Sequence, residues 1–335
     1  MATQQQFIDM LKDIEPAPST VEACSSAHRT LRTALEEDET FKKLLVTSFL
    51  SGSYKRDTAI RPALIGGELQ RPDVDIIVVT NHTKDDSPKT VLNALEKALR
   101  DAGYQNIKVN RRSICVTLKG VDMDIVPVIV DGDAYLIPDI ELKKWLTTNP
   151  PAHTQWTIDV NKQAGGRFKP LVKLTKWWRR VHLADLRRPK GFILECLVAK
   201  HMRYVEDKYE SLFVTLLEAI RDAYSLHILL ETVPFLEDPG VSGNNVFSNV
   251  TFKEFKQFYD KVKDQAKLAR EAMDEDDEDK QLALWRKVLG PRFPASSKSR
   301  AASACVAPSL LKPAVGLGLT FPSTPVLPNK PAGFA

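Results

Sequence analysis

Two aspartates, Asp73 and Asp75, open an apolar segment of the sequence, DVDIIVV at residues 73–79. The β-branched run predicts a buried strand, and the two-residue period of a strand points both carboxylates to the same side. Carboxylates that share a small volume repel each other and raise each other's pKa unless a cation lies between them. Because hard oxygen ligands of this kind suit Mg²⁺, the pair predicts a magnesium site.

A third acid for this site lies in a second apolar segment, VDMDIVPV at residues 121–128. If this segment forms a strand beside the first, Asp122 and Asp124 share one face, and either of them can be the third ligand. The alternative is that the first pair of aspartates only caps a turn, since aspartate favours turns and caps. A third acid in a second apolar strand favours the metal site over the cap.

A glycine and a serine, Gly52 and Ser53, precede the first acidic pair and predict a phosphate-binding turn. Glycine lets the backbone turn tightly, so that backbone N–H groups and the serine hydroxyl approach phosphate oxygens. Residues 54–60 predict a short helix whose first N–H groups add to the phosphate contacts. Arg56 lies one turn into this helix, where it faces a triphosphate, an acceptor nucleotide or the solvent.

The elements that must position these residues follow from the hydrophobic pattern. Ser19 is a candidate cap for a helix, because Glu22 follows it at the capping-box spacing. Gly103 is a candidate end for an amphipathic helix. The mixture of elements predicts an α/β core at about residues 40–160. In chain order we predict helices at 3–14 and 20–37, a strand at 47–50, a strand at 74–80, a helix at 87–102, and strands at 107–110, 114–119, 123–130 and 135–138.

The second half of the sequence has a helical period. Lys173 and Lys176 are three residues apart, which places them on nearby faces of one predicted helix. Eight of the 21 prolines fall in the last 45 residues, so no packed core is expected there. These shifts predict four parts, namely N-terminal helices at 1–39, a core at 40–160, a helical domain at 161–292 and a disordered proline-rich tail at 293–335.

The net charge of +4 is unevenly distributed along the chain. Residues 291–335 hold five basic side chains and no acid, which leaves 42 basic against 43 acidic residues in the rest. A duplex-binding protein is expected to present a strongly basic face to phosphates. The near-neutral body therefore argues against activation by duplex DNA.

The four cysteines are far apart and form no C-x-x-C motif, so neither a zinc site nor a disulfide framework is predicted. No run of about eighteen apolar residues occurs, and the first residues lack a basic segment followed by an apolar one. We therefore expect a cytoplasmic protein that does not enter a membrane.

Taken in order, the turn at residues 52–53, the D-x-D pair and the later D-h-V-P segment resemble the polymerase-β-type nucleotidyltransferases. The longer match GSYKRDTAI at residues 52–60 is similar to the bacterial cGAS/DncV-like nucleotidyltransferases. The resemblance implies an α+β fold: a polymerase-β-like nucleotidyltransferase core with a mixed sheet, a long N-terminal helix and a C-terminal helical domain. It also selects Asp124 as the third metal ligand.

The resemblance implies that the protein makes a cyclic di- or trinucleotide second messenger containing adenine. It would use ATP and other NTPs, depend on Mg²⁺ and release pyrophosphate, as in bacterial anti-phage defence. Two rivals are a nucleotidyltransferase that modifies a tRNA or a protein, and an inactive nucleotide-binding scaffold. The near-neutral body argues against a tRNA acceptor, and the intact set of acids argues against the scaffold.

The resemblance also assigns roles in the second half of the chain. The pattern Lys-x-x-Lys-aromatic places Lys176, beside Lys173, where family members contact donor phosphates, and Phe192 where an aromatic ring stacks on a nucleobase. The alternatives are an ordinary helix lysine and a plain core phenylalanine. Gly191 departs from the family pattern, which has a serine there, so either Lys190 or backbone N–H groups would replace the phosphate contact of that serine.

A last implication concerns the tail, which ends at Ala335. In related operons, a ubiquitin-ligase-like protein can join the nucleotidyltransferase to another molecule through its C-terminal carboxylate. A small last residue on a proline-rich arm suits such a conjugation. The alternative is a tail without a task.

Overall fold

The computed structural model describes residues 4–65 and 68–295 of the chain. The helices are α1 (Gln4–Ile14), α2 (Pro18–Glu37), α3 (Gly52–Lys55), α4 (Pro88–Asp101), α5 (Pro150–Gln163), α6 (Phe168–His182), α7 (Gly191–His201), α8 (Tyr209–Leu229), α9 (Phe252–Asp274) and α10 (Glu278–Leu289). The strands are β1 (Leu45–Ser51), β2 (Leu64–Ile65), β3 (Glu68–Leu69), β4 (Asp73–Thr80), β5 (Ile107–Val109), β6 (Ile114–Thr117), β7 (Asp122–Asp131), β8 (Ala134–Asp139), β9 (Lys144–Thr148), β10 (Glu237–Asp238) and β11 (Val241–Asn245).

A seven-stranded mixed sheet forms the first half of the fold. Its main path runs in the order β1-β4-β7-β6-β5, and β8 and β9 extend it from β7. The central pair, β4 and β7, is parallel, whereas β1 and β6 flank that pair with antiparallel partners. The predicted α+β architecture with a mixed sheet is confirmed.

The two faces of β4 have different surroundings, because successive side chains of a strand point to opposite sides. Val74, Ile76 and Val78 are fully buried in a cluster with residues of α2 and α4, such as Leu31 and Leu95. The opposite face carries the two aspartates and then turns apolar further along the strand. The hydrophobic face therefore fixes the strand against the helices and leaves the acidic face pointing away from them.

The helical half has its own apolar core, which includes the first helix of the chain. Phe7 of α1 contacts Trp285 and Phe293 edge-on, with ring centroids 5.0 and 5.1 Å apart. Trp178 of α6 and Phe258 of α9 are also buried in this cluster. The N-terminal helix therefore packs with elements that follow the sheet in the sequence.

The structure corrects two local predictions. The helix expected at residues 54–60 is the short α3, which ends because Asp57 adopts a left-handed backbone conformation with φ of 55°. Ser19 does not cap α2, because the helix already begins at Pro18 with Ala17 before it. Strand β9 and helices α5 and α8 have no counterpart in the sequence-based prediction.

Candidate active site

The four aspartates of the two acidic segments lie side by side at the start of the parallel strand pair. In the register of β4 and β7, Asp73 is paired with Asp122 and Asp75 with Asp124. Neighbouring strands lie about 4.8 Å apart, and paired residues point to the same face. The separated segments predicted to converge are therefore neighbours, with Asp124 directly beside Asp75.

Burial raises the pKa of Asp73, Asp75 and Asp124, and repulsion by neighbouring acids adds to the increase for Asp73 and Asp75. Burial, followed by the charges of Asp75 and Asp124, raises the pKa of Asp73 to about 7. Burial and then the charge of Asp124 raise the pKa of Asp75 to about 6. Burial also raises the pKa of Asp124, against hydrogen bonding from Ser113 and Asn110 that lowers it. A cation among these groups would relieve the repulsion and favour their charged forms.

A cleft of about 610 Å³ opens beside the acids, between the sheet and the helical half. Asp124 is not among the described residues that line it, although it lies next to Asp75 in the sheet. The predicted site residues that do line the cleft are Gly52, Ser53, Arg56, Asp73, Asp75, Lys176 and Phe192.

Gly52 brings the backbone into close contact with one of the acids. Its φ is +68°, and an added Cβ atom would lie only 1.6 Å from Oδ2 of Asp75. Only glycine combines this backbone conformation with the space that the carboxylate occupies. The turn that is predicted to bind phosphate therefore also leaves space for the carboxylate of Asp75.

The donor set suits a hard divalent cation, because it consists of several carboxylates on one face of the sheet. The Oδ1 atoms of Asp122 and Asp124 are buried without a hydrogen-bond partner, which leaves acceptor capacity for a cation. Among the residues that the structure describes, no group of three acidic, histidine or cysteine side chains is arranged so that it could hold a metal ion. The residues therefore fit magnesium by the chemistry of their donor atoms and not by a preformed arrangement.

Glu195, which the sequence analysis does not single out, connects two of the predicted phosphate-binding cations. It is fully buried, and its carboxylate accepts hydrogen bonds from Arg56 Nε at 2.9 Å and from Lys176 Nζ at 2.7 Å. Thr58 Oγ1 donates a third, at 2.9 Å. Burial acts to raise the pKa of Glu195, but the charges of Lys176 and Arg56 outweigh it and lower the pKa to about 2.

Two cations around one carboxylate leave a net positive charge at the wall of the cleft. This arrangement holds Arg56 and Lys176 in fixed positions, since both lie against a buried anion. Charge-assisted hydrogen bonds of this kind are about twice as strong as neutral ones. The cluster can therefore present positive charge to a triphosphate.

Phe192, at the start of α7, lies at the edge of the same cleft. Arg56 Cζ lies 5.2 Å from the centre of its ring, and the His153 ring lies 4.7 Å away on a tilt. His153 Nε2 is in turn 2.6 Å from Asp238 Oδ1 in the β10–β11 hairpin. The Phe192 ring is thus partly exposed to the cleft and also packs against the His153 ring.

The structure places Lys173 away from these residues. Its Nζ atom donates to Glu15 Oε1 at 2.8 Å and to Asp57 Oδ1 at 3.0 Å. It is not among the described residues that line the cleft. Lys173 and Lys176 share a helix and are one turn apart, but of these two lysines only Lys176 lines the cleft.

Several other basic residues also line the cleft. The sequence analysis gives them no role, except that it names Lys190 as a substitute for the missing serine. Four of them lie in two basic runs of an otherwise near-neutral body, WWRRV at residues 177–181 and LRRPK at residues 186–190, whereas Arg71 lies outside these runs. Two of them are held by backbone oxygens, since Arg179 Nε donates to Pro189 at 2.7 Å and Arg180 Nη1 to Arg61 at 2.5 Å. The additional cations of the cleft are Arg71, Arg179, Arg180, Arg187 and Lys190.

Known proteins resemble this chain in sequence and in fold. Residues 1–161 match the SMODS domain, the Second Messenger Oligonucleotide or Dinucleotide Synthetase domain. The chain is 64% identical to a cyclic AMP-AMP-AMP synthase of Acinetobacter sp. (strain ATCC 27244 / 9458), over 100% of this chain and 98% of the relative.

Two solved structures have the same fold at low sequence identity. CdnC of Escherichia coli MS115-1 with ATP superposes with a TM-score of 0.68 at 20% identity, over 87% of this chain and 99% of that one. The CD-NTase CdnG of Bradyrhizobium diazoefficiens, in complex with GTP, superposes with a TM-score of 0.73 at 14% identity, over 86% of this chain and 95% of that one.

A glycine turn beside aspartates on two parallel strands, in a sheet that faces a helical half, defines a nucleotidyltransferase of the polymerase-β type. With 64% identity over its full length to a known synthase, the chain belongs to the cGAS/DncV-like nucleotidyltransferases. It is an enzyme that synthesises an adenine-containing cyclic oligonucleotide, as the resemblance implies. In the part of the chain that the structure describes, no helix has the length and apolar character needed to cross a membrane.

Proposed function

We propose that this enzyme joins ATP molecules into a cyclic tri-adenylate in the cytoplasm and releases one pyrophosphate for each phosphodiester bond. The observation that supports this product is the 64% identity, over nearly the whole of both chains, to the Acinetobacter cyclic AMP-AMP-AMP synthase. The pairing of Asp75 with Asp124 beside the cleft supports the chemistry. In each step a ribose hydroxyl attacks an α-phosphorus, and pyrophosphate leaves.

The acids Asp73, Asp75 and Asp124 would hold Mg²⁺. When bound, the metal lowers the pKa of the attacking hydroxyl and neutralises charge on the triphosphate and the leaving pyrophosphate. Asp124, whose pKa is raised by burial, is suited to accept the proton of the attacking hydroxyl.

The remaining proposed roles concern binding of the donor nucleotide. The turn at Gly52 and Ser53 offers backbone N–H groups and a hydroxyl to the phosphates. Lys176 and Arg56 add positive charge, which a transferring phosphoryl group needs besides magnesium. Phe192 offers a ring against which a base can pack. Together these groups orient the donor so that its α-phosphorus faces the acceptor hydroxyl.

The direct test is to incubate the purified enzyme with Mg²⁺ and ATP alone, treat the products with phosphatase and measure their mass. A phosphatase-resistant product with the mass of a cyclic tri-adenylate is expected. Asp73→Asn should form none and should unfold at the same temperature as the wild type. Turnover that requires an added tRNA or protein acceptor, or no turnover with any NTP mixture, would overturn the proposal.

The predicted partner acts on a part of the chain that lies outside the described residues. Ala335 and the proline-rich tail are therefore known from the sequence alone, and conjugation by a ubiquitin-ligase-like protein stays a prediction. Co-expression with a ligase of this type, followed by intact-mass analysis of the full chain, would test it. A mass increase that disappears when the last residues are deleted is the expected result.

A further inference from the structure

Lys173 is a nearly buried charge that the proposed chemistry does not use. Only 5% of the residue is exposed, and its Nζ atom lies between two carboxylates, Glu15 at the end of α1 and Asp57 after α3. Burial acts to lower its pKa, but the two acids outweigh burial and the pKa is raised. The side chain is therefore a fixed cation that joins three separate parts of the chain.

Asp57 lies between two residues of the charged cluster at the cleft. Arg56 and Thr58, its neighbours in sequence, donate to Glu195, and Lys176 donates to the Thr58 hydroxyl at 3.1 Å. Two side chains of α6 therefore hold residues 56–58: Lys173 contacts Asp57, and Lys176 contacts Thr58.

The backbone of this segment has an uncommon conformation. Asp57 has φ of 55°, in the left-handed region that aspartate adopts more readily than most residues other than glycine. Among the described residues, its carboxylate has one other ion-pair partner, Lys169, whose Nζ atom lies 3.7 Å away, which is too long for a hydrogen bond. Lys173 is therefore the cation that holds the Asp57 side chain, at the middle residue of the segment.

We propose that Lys173 is a positioning residue that acts through Asp57 to hold Arg56 against the triphosphate, and that it does not contact the nucleotide itself. This inference rests on the proposed role of Arg56 in triphosphate binding. Loss of the Lys173 contact removes one of the two supports that α6 gives residues 56–58, so Arg56 is held less firmly in the position in which it faces the phosphates. The affinity for ATP then falls, while the acids that carry the chemistry are unaffected.

The relevant variants are expected to fold, because the acids left behind are in contact with water. The side chain of Glu15 is 45% exposed and that of Asp57 is 67% exposed, so neither becomes a buried unpaired charge when Lys173 is neutralised. Glu15→Gln is a matched control, since it alters the same lysine without touching residues 56–58.

The test compares Lys173→Gln, Asp57→Asn, their double variant, Glu15→Gln and Lys173→Arg. We expect Lys173→Gln and Asp57→Asn each to raise the KM for ATP about tenfold with little change in kcat, since misplacement of a binding group weakens binding. The double variant should be no worse than either single variant. Glu15→Gln should match the wild type, and Lys173→Arg should restore most of the affinity.

Binding of a non-hydrolysable ATP analogue should show the same pattern as the KM values. This second measurement does not depend on which product forms, so it tests the role of Lys173 even if the proposed cyclic product is wrong. Additive losses in the double variant would indicate a direct contact between Lys173 and the nucleotide and overturn the proposal. Equal losses in Glu15→Gln and Lys173→Gln, or no loss in Lys173→Gln, would overturn it as well.

Discussion

Lys176 Nζ donates a hydrogen bond of 2.7 Å to Glu195 Oε1, and this buried pair joins α6 to α7 at the wall of the cleft. Arg56 binds the same carboxylate from the turn that follows β1. One anion therefore connects the sheet half to the helical half and compensates two cations. Without it, both cations would be buried close together and would repel each other.

Glu195→Gln should consequently damage both stability and catalysis. Removing one partner of a buried ion pair costs about 3 to 5 kcal/mol, because the remaining charge is left uncompensated. We expect the free energy of unfolding in urea to fall by about that amount. The kcat/KM for ATP should fall at least about tenfold, because Lys176 and Arg56 lose their fixed positions.

Glu218→Gln is the matched control for this variant. Glu218 pairs with Arg270 at 2.7 Å in the helical half, away from the cleft. It should change stability by less than about 1 kcal/mol, as expected for a pair near the surface, and leave kcat/KM unchanged. Equal effects of the two variants on activity would contradict the role given to Glu195.

Gly52→Ala should abolish activity, because the new Cβ atom would collide with the carboxylate of Asp75. The collision has to displace either the turn at Gly52 and Ser53 or the carboxylate of Asp75, and the proposed mechanism uses both. We expect kcat to fall about 100-fold or more, as for other displacements of reacting groups. Initial rates of pyrophosphate release measure the effect.

Gly103→Ala separates this collision from backbone strain. Gly103 also has a positive φ, +87°, but an added Cβ atom there meets nothing within 4 Å. The variant should lose a little stability and keep its activity. Comparable losses of activity in the two variants would show that strain alone, and not contact with Asp75, accounts for the effect of Gly52→Ala.

Stability should depend on pH through His201, which is not among the described residues that line the cleft and which contacts Tyr224 OH at 3.1 Å. Burial, and then the charge of Lys200, lower its pKa from the ordinary 6.5 to about 4. Below pH 6.5 His201 binds a proton in the unfolded chain, whereas in the folded chain it does so only below about pH 4. The free energy of unfolding should therefore fall across this window as the pH falls, by about 2 kcal/mol from this group.

His201→Gln tests this dependence, since glutamine can still bond Tyr224 but does not titrate. Urea unfolding at pH 7, 5.5 and 4.5 should give a smaller decrease for the variant than for the wild type. An identical decrease in both proteins would exclude His201 as its source.

The strands that carry the acids could be predicted from sequence because their pattern is local. The alternation of apolar residues around Asp73 and Asp75 predicts a strand with both carboxylates on one face, and the structure confirms it. The pairing partner is not local information. Residue types alone leave Asp122 and Asp124 equivalent. The register of β4 and β7 places Asp122 beside Asp73 and Asp124 beside Asp75, so the choice of Asp124 rests on the family resemblance.

The residues that sequence analysis does not identify are those whose partners are distant in the chain. Glu195 is 139 residues from Arg56, so nothing near it in the sequence indicates that it joins two cations. Helical spacing alone also cannot tell which of Lys173 and Lys176 faces the cleft. The answer depends on Glu15, which α1 brings to Lys173 from the start of the chain. The nucleotide-binding and metal-binding roles themselves, and the domain boundaries, stay predictions.

The central claim is that Asp73, Asp75 and Asp124 form one catalytic set, and the comparison of Asp124→Asn with Asp122→Asn tests it most directly. Both aspartates occupy the same face of β7, two residues apart, so the variants differ only in which carboxylate is lost. Release of pyrophosphate from ATP and Mg²⁺ should fall about 1,000-fold or more in Asp124→Asn, by analogy with the loss of other catalytic groups. Asp122→Asn should stay within about tenfold of the wild type. Full activity in Asp124→Asn, with the loss confined to Asp122→Asn or absent from both, would contradict the account.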